Sequence, residues 1–403
     1  MNNHYDLIIV GAGISGLYSA YRFKQLYPHK SVLILEKSNY IGGRMGLRSF
    51  YGVNVTIGAG VGRLKKDYLL EKLLRDLDIT YGINPVSKHF APTVKNPISI
   101  TKAVKILRDK YKSYKNPPSV TFKEFARKIL GEDLYKDFVI SAEYGDYENE
   151  DVHDSLYYYG FEDNDAGWKS MSINWNELLE KLIANIGRSH ICINSEVNSV
   201  SCDDNQYSVQ TKKNHYTCDK IIIASTVDTV RKLVPKHPIY RQIHGQPFLR
   251  VYGKFAKESS QILNEHLNGK QTIVPLPLRR IIPMNPSKGV YMIAYTDNAP
   301  ALCLSKRVEN TEKNRDYWCR LLEKSLEMEH GSLKLTSILD FYWKIGTHYY
   351  EPLDKDDFKT RKDFVKQAQR PMEGMFIVGE MISFNQGWSE GALESVETII
   401  REL

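Results

Sequence analysis

Gly11, Gly13 and Gly16 separate the apolar run Leu7-Ile-Ile-Val10 from a helical pattern over Leu17 to Leu26. That order of strand, glycine turn and helix holds a dinucleotide: Gly11 makes the sharp turn, Gly13 lets backbone approach a pyrophosphate, and Gly16 lets the helix pack closely on the sheet. The helix N-terminus offers unpaired N–H groups and a positive dipole end to the same phosphates. Glu36 follows Gly16 by 20 residues and ends a second apolar run, Ser31-Val-Leu-Ile-Leu-Glu36, where a carboxylate can hold ribose hydroxyls. A second glycine turn, Gly42-Gly43, carries Arg44, a cation that can reach a phosphate or the central part of such a cofactor. No Ser/His/Asp set and no pair of catalytic carboxylates stands out, so the demanding chemistry is expected from a cofactor.

These residues need a parallel sheet with helices around it, and the rest of the chain supplies the pieces in separated segments. Helical spacing runs over Asp67–Leu77, Ile98–Tyr114, Thr121–Tyr135 and Trp175–Ile186. Four strand-like runs follow, His190–Asn194, Glu196–Val200, Tyr207–Gln210 and Lys220–Ala224. From about Thr226 to Arg361 the composition shifts toward Pro, Tyr, Trp and alternating apolar residues. Strands are predicted there over Pro247–Phe255, Arg279–Pro283, Gly289–Tyr295 and Ser337–Lys344, with a helix over Arg315–Met328. The last piece is a strand, Gly374-Met-Phe-Ile-Val-Gly-Glu380, followed by a helix opened by Gly387-Trp-Ser-Glu-Gly-Ala392 and predicted to run to the end.

The GGR turn after the ribose acid, together with this terminal Gly-Glu strand and glycine-opened helix, resembles the flavin-dependent amine oxidase family. The likeness touches both ends and the middle of the chain. It implies an α/β fold: a Rossmann-like FAD-binding domain assembled from residues 1–63, 165–235 and 362–403, and an α+β substrate domain, a mixed sheet plus helices, from 64–164 and 236–361. By the same likeness Gly43, Arg44, Gly58 and Ala59 meet the cofactor, although the acid often found just before the Gly58 turn is absent. Val197 meets adenine through its backbone, and Gly379 and Glu380 meet the ribityl and diphosphate part. Gly391 and Ala392 point a helix dipole at the flavin edge where reduction accumulates negative charge. No cysteine lies near this segment, so FAD is expected to be held without a covalent bond.

Family members commonly set a lysine opposite flavin N5 in a strand of the form K-V-x-x-x-F. The matching segment is Arg250-Val-Tyr-Gly-Lys-Phe255, with Arg250 in the lysine's place; Lys254 reaches that position only through a bulge or a slipped register. An arginine stays protonated, so this departure bears on reoxidation by oxygen and on catalysis itself. The resemblance also implies an aromatic sandwich for a neutral amine, for which Trp343, Tyr349, Tyr350 and Trp388 are candidates. His348 is a candidate base or a structural histidine. The acids of Glu143-Tyr-Gly-Asp-Tyr-Glu-Asn-Glu-Asp151 could steer a cationic amine or form a solvated loop.

Together these readings predict hydride transfer from an amine (monoamine, polyamine or amino acid) to flavin N5, with molecular oxygen as acceptor. Two alternatives stay open: the same fold acting on a porphyrin- or carotenoid-type skeleton, and an FAD-binding protein with a structural or partner-binding role. The 403 residues carry a net charge of +7 with dispersed basic residues, which argues against a nucleic-acid partner. Five cysteines, Cys192, Cys202, Cys218, Cys303 and Cys319, show no C-x-x-C spacing, and no metal site is expected. Neither a signal peptide nor a run of about 20 apolar residues is found, so a cytoplasmic location without a membrane span is expected.

Overall fold

In the computed structural model, which describes residues 3–403, the first strand, His4–Val10, ends in the uninterrupted apolar run Leu7–Val10 because both of its faces are buried there. Leu7 and Ile9 enter one core, with the helices Ile14–Leu26, Trp175–Ile186 and Ser389–Glu397, while Ile8 and Val10 enter another, with Val227–Leu233 and Arg361–Ala368. Helices on both faces of a largely parallel sheet define the doubly wound class.

That sheet has seven strands. His4–Val10 runs parallel to Val32–Leu35 on one side and His215–Ile223 on the other; Ile191–Cys192 extends the first edge. His215–Ile223 pairs along its first half with the antiparallel hairpin Val197–Asp203 and Gln206–Thr211, and along its second half with Met375–Ile377. Strands from three distant parts of the sequence thus close one Rossmann-like domain. The helix Tyr68–Asp76, which the boundary at residue 64 assigns to the substrate part, packs Leu70, Leu73 and Leu74 into the core of this domain. Its N-terminus is capped from a distance, Glu390 accepting from the backbone N–H groups of Leu69 (2.8 Å) and Leu70 (2.9 Å).

A second, six-stranded sheet runs in the order Leu335–Tyr350, Ile243–Phe255, Val290–Asp297, Arg280–Asn285, Thr272–Ile273 and His89–Phe90. Alternation along Ile243–Phe255 decides what each face does. Leu249 and Val251 pack under the helices Lys257–Leu267 and Glu312–Leu326, whereas Arg250 and Tyr252 point toward the hairpin Leu47–Phe50 and Val53–Thr56 of the dinucleotide domain. A helical subdomain, Ile100–Lys112, Phe122–Leu130, Glu132–Ser141 and Val152–Tyr157, closes over its own aromatic core of Phe122, Phe138, Tyr147 and Phe161.

Several predicted elements differ in extent: the strands expected over Lys220–Ala224 and Pro247–Phe255 begin at His215 and Ile243, and that over His190–Asn194 is only Ile191–Cys192. The helix expected over Thr121–Tyr135 is two helices, because Gly131 adopts φ +77° between them. The strand expected over Ser337–Lys344 continues to Tyr350, its outer half held by pairing with Ile243–Gln246. The final helix stops at Glu397 and is followed by a 3₁₀ turn, Ile400–Glu402. Among the described residues no helix is long and apolar enough to cross a membrane.

Candidate functional site

The glycine positions differ sharply in what surrounds them. A Cβ on Gly16 would lie 2.0 Å from the Gly11 carbonyl oxygen, and one on Gly11, where φ is +110°, would lie 2.4 Å from the Ala224 carbonyl oxygen. A Cβ on Gly13 would meet nothing within 4 Å. Gly13 is also the N-cap of the helix Ile14–Leu26, whose first N–H groups no side chain caps. An open face over uncapped N–H groups is what a pyrophosphate requires.

The other loops converge on this opening. Gly42 donates to the Ala12 carbonyl (2.9 Å) and bridges Gly13, so the Gly42-Gly43 turn lies against the first glycine loop. Ala59 donates to the Arg44 carbonyl (2.9 Å), and Gly58 packs so closely that a Cβ would lie 2.1 Å from that same oxygen. Buried Glu36 accepts from the backbone N–H groups of Ala12 (2.8 Å) and Ser38 (2.7 Å), and each carboxylate oxygen keeps a lone pair for a further donor. Ser195, two residues before Val197, donates to the Glu36 carbonyl (2.8 Å), which brings the start of the Val197 strand beside the acid.

Arg44 reaches across the site. Its Nη1 donates to the Gly346 carbonyl (2.6 Å) and to Glu380 Oε1 (2.9 Å). The same Glu380 oxygen accepts from His348 Nδ1 (2.5 Å), the other accepts from the Gly387 N–H (3.1 Å), and His348 Nε2 accepts from the Val227 N–H (3.3 Å). The Val227 N–H makes Nε2 an acceptor and so leaves the donated proton on Nδ1, which makes His348 a positioning group and not a free base. Burial works to raise Glu380, but His348 and Arg44 beside it hold its carboxyl well below the usual carboxylate range. Gly379 adopts φ +132° and donates to Ser395 Oγ (2.8 Å), while Gly391 and Ala392 are buried in the first turns of Ser389–Glu397, a helix without a side-chain cap.

On the substrate side, the candidate aromatic cage is not assembled. Trp343 donates from Nε1 to the Ile57 carbonyl (2.7 Å), next to the Gly58 turn. Tyr349 lies about 20 Å farther along the strand at roughly 3.3 Å per residue, stacked on His244 with ring centroids 5.4 Å apart. Tyr350 is fully buried, its hydroxyl donating to the Ser383 carbonyl (3.0 Å), and Trp388 carries the Arg63 guanidinium 4.0 Å from its ring centroid. What gathers instead is Arg250 with Tyr144, Phe248 and Tyr295. The Arg250 guanidinium lies 4.2 Å from the Tyr295 ring centroid, its Nη1 donates to Thr56 Oγ1, and a Cβ on Gly60 would lie 3.1 Å from its Nη2. Tyr144 meets Tyr295 edge-on at 5.3 Å and Phe248 lies 5.7 Å from Tyr295. Lys254 points away and donates to the Phe255 carbonyl (3.0 Å), so no bulge brings it into this place.

The acidic segment is internal, neither a solvated loop nor a funnel for cations. Glu143 pairs with Arg280 and Lys88, Glu150 accepts from Ser155 (2.7 Å), and Asp151 caps the helix Val152–Tyr157. Asp151, His153 and Asp154 hold potential metal-ligand atoms within 4.8 Å of one another, but Arg361 already neutralises Asp154 at 2.5 Å. Burial, with Asp297 adding repulsion, pushes half-buried Asp146 up to about 7, against the hydrogen bond it accepts from Tyr159 (2.7 Å). The folded protein therefore keeps a proton that the unfolded chain releases near 3.8, and stability contributed by this group falls as pH rises through 7. Asp146→Asn is expected to be more stable than the parent at about pH 8 by roughly 2 kcal/mol, and by less than half of that at about pH 5. Urea unfolding at the two pH values measures this; equal curves at both would show that Asp146 titrates normally.

Known proteins share this fold. The family model of the NAD(P)-binding Rossmann-like domain matches residues 9–77. The uncharacterised protein R188 of Acanthamoeba polyphaga mimivirus is 22% identical, over 98% of this chain and 93% of its own. Among solved structures, putrescine oxidase bound to putrescine superposes with a TM-score of 0.77 at 13% identity, over 100% of this chain and 99% of that one. A protein of Exiguobacterium sp. 255-15, provisionally named a protoporphyrinogen oxidase, superposes with a TM-score of 0.73 at 15% identity, over 100% and 98%. The chain has the fold of the flavin-dependent amine oxidases, a Rossmann-like domain built from discontinuous segments beside an α+β domain.

Proposed function

We propose that this chain is an FAD-dependent oxidoreductase that binds FAD without a covalent bond and oxidises an amine, with oxygen as the electron acceptor. The observation that carries this reading is the open face at Gly13, over uncapped N–H groups and ringed by Glu36, the Gly42-Gly43-Arg44 turn and the Arg44–Glu380 pair. Donors and acceptors there suit each part of a dinucleotide. The Ile14–Leu26 N-terminus takes the diphosphate, the free lone pairs of Glu36 take ribose hydroxyls, and Val197 borders the adenine. Arg44 and Glu380 hold the central part, and the Ser389–Glu397 N-terminus, with Gly391 and Ala392, presents its positive end to the flavin. When bound, FAD supplies a hydride acceptor.

The division proposed for the chain gives 1–63, 165–235 and 362–403, together with the helix Tyr68–Asp76 that packs into their core, to the cofactor, and the rest of 64–164 and 236–361 to the substrate. In the substrate part, Arg250 supplies a fixed charge, Trp343 and Tyr295 supply aromatic surface, and Phe248 and Tyr144 exclude water. None of these groups is a proton acceptor at neutral pH, so the reaction asks the protein for orientation and electrostatics. The resemblance to putrescine oxidase favours an amine; the resemblance to the Exiguobacterium protein keeps a carbon-skeleton substrate as the competing outcome.

The test is to reconstitute the purified protein with FAD, record its absorption, and add amines, polyamines and amino acids anaerobically. Bleaching of the flavin band by one of these classes is the expected result. A bound flavin that only a porphyrinogen or polyene reduces would replace the amine reading, and failure to bind FAD would end the flavoenzyme reading altogether.

A further inference from the structure

Four arginines are buried among the described residues, Arg63, Arg250, Arg279 and Arg361. Three have carboxylates within hydrogen-bonding distance: Arg63 with Asp67 (2.7 Å), Arg279 with Asp297 (2.9 Å) and Arg361 with Asp154 (2.5 Å). Arg250 has none. Thr56 Oγ1, the Tyr295 ring and the Gly60 turn are neutral, and its strand neighbours across the sheet, Tyr295 and Phe341, are neutral too. The cations around it are already compensated: Arg280 by Glu143, and Lys88 by Glu143 (3.5 Å) and Asp165 (3.8 Å). The uncompensated charge of this part of the protein therefore falls on Arg250. A guanidinium removed from water without an anion is costly, and the cost is recovered when an anion arrives.

Reach and shape point to the kind of anion. Arg250, itself only 5% exposed, lies next to the Gly58–Gly60 turn and beneath Tyr144, Tyr295, Phe341 and Trp343, each partly exposed, so the guanidinium sits one side chain below the surface. Its Nη1 is engaged by Thr56 and its Cζ lies over the Tyr295 ring, which holds the guanidinium fork in place. A carboxylate matches that fork with two parallel hydrogen bonds; an ammonium group would be repelled by it.

We infer that Arg250 is the receptor for a carboxylate on the substrate, so that the proposed reaction acts on amino acids or other amino-carboxylates and not on simple amines or polyamines. This rests on the oxidoreductase reading for its chemistry but not for its binding step. The substrate is oriented by its carboxylate on Arg250 beside the aromatic wall of Tyr144, Phe248 and Tyr295, with its amine-bearing carbon turned toward the flavin side.

The experiment uses benzoate and its uncharged isostere benzamide as probes, titrated into the FAD-loaded protein and followed by thermal shift, calorimetry and perturbation of the flavin spectrum. Saturable binding of benzoate, not benzamide, is expected, weakened about 100-fold in Arg250→Met and about 10-fold in Arg250→Lys. Anaerobic flavin reduction by phenylalanine or ornithine is expected to exceed that by phenethylamine or putrescine at least 10-fold. Equal binding of the two probes, benzoate affinity unchanged in both variants, or an Arg250→Met that shifts only the flavin potential would overturn the proposal. If Arg250→Met does not fold, the wild-type probe pair and Arg250→Lys decide. Reduction by putrescine with benzoate ignored would overturn the carboxylate receptor and leave the oxidoreductase standing. Loss of FAD binding with benzoate still captured at Arg250 would do the reverse.

Discussion

Gly16→Ala is expected to unfold the dinucleotide domain, whereas Gly13→Val should leave the fold intact and abolish cofactor binding. Alanine in place of a helical glycine ordinarily gains about 1 kcal/mol of helix propensity. At Gly16 that gain is overwhelmed, because the new Cβ would sit 2.0 Å from the Gly11 carbonyl oxygen and 3.3 Å from the Ala224 Cβ, both on rigid elements. Forcing the helix off the sheet costs about 3 kcal/mol or more, at the upper end for overpacking. Gly13 has an ordinary φ of −74° and empty space where its side chain would be, so valine there should change stability by no more than about 1 kcal/mol. It would, however, fill the opening over the helix N-terminus. Urea unfolding without FAD and flavin absorbance after reconstitution separate the two effects. A Gly13→Val protein that still holds flavin would move the phosphate site elsewhere.

Glu380→Gln is the second large effect, expected to cost about 3 kcal/mol at neutral pH. The buried carboxylate joins Arg44, His348 and the Gly387 N–H. An amide keeps one acceptor and turns its NH₂ toward donors, so one of those groups loses its partner. The pH dependence follows from the lowered carboxyl. Glu380 stays ionised in the folded protein below 4.5, its ordinary value, while the unfolded chain takes up a proton. Its contribution is complete above about pH 4.5 and lost as pH falls toward the folded value. The gap between parent and Glu380→Gln should therefore narrow steadily in acid, read by unfolding midpoints between about pH 6 and pH 3. A constant gap would mean that packing, not charge, supports the network.

Much of the Rossmann-like fold was legible because its constraints are local. Gly11, Gly13, Gly16 and Glu36 lie within one strand–helix–strand unit, and their spacing alone specifies the turn. The helix Trp175–Ile186 begins and ends where the apolar spacing predicts, between the cap Asn174 and Gly187. The substrate side was less legible, since Tyr144, Phe248 and Tyr295 come from a loop and two strands and meet only through sheet pairing. Aromatic residues clustered in sequence were a poor guide for the same reason: Trp343 and Tyr349 are near neighbours in the chain but far apart along an extended strand. The acids of Glu143–Asp151 look solvated by composition, and only their buried partners, Arg280, Ser155 and Tyr159, reveal otherwise. His348 gave no sequence signal for its role, because Glu380 and Val227 lie in other segments.

The seven-stranded sheet also sets a timetable for synthesis. Met375–Ile377, which flanks His215–Ile223, the partner of His4–Val10, leaves the ribosome some 365 residues after that first strand. At about 5 to 20 residues per second this is an interval of roughly 20 to 75 s. Throughout it, an apolar strand end and the glycine loop beside it stand without the segment that carries Glu380. The sheet is thereby completed only after Met375–Ile377 has emerged, and until then the free edge of His215–Ile223 is open to pairing with another chain.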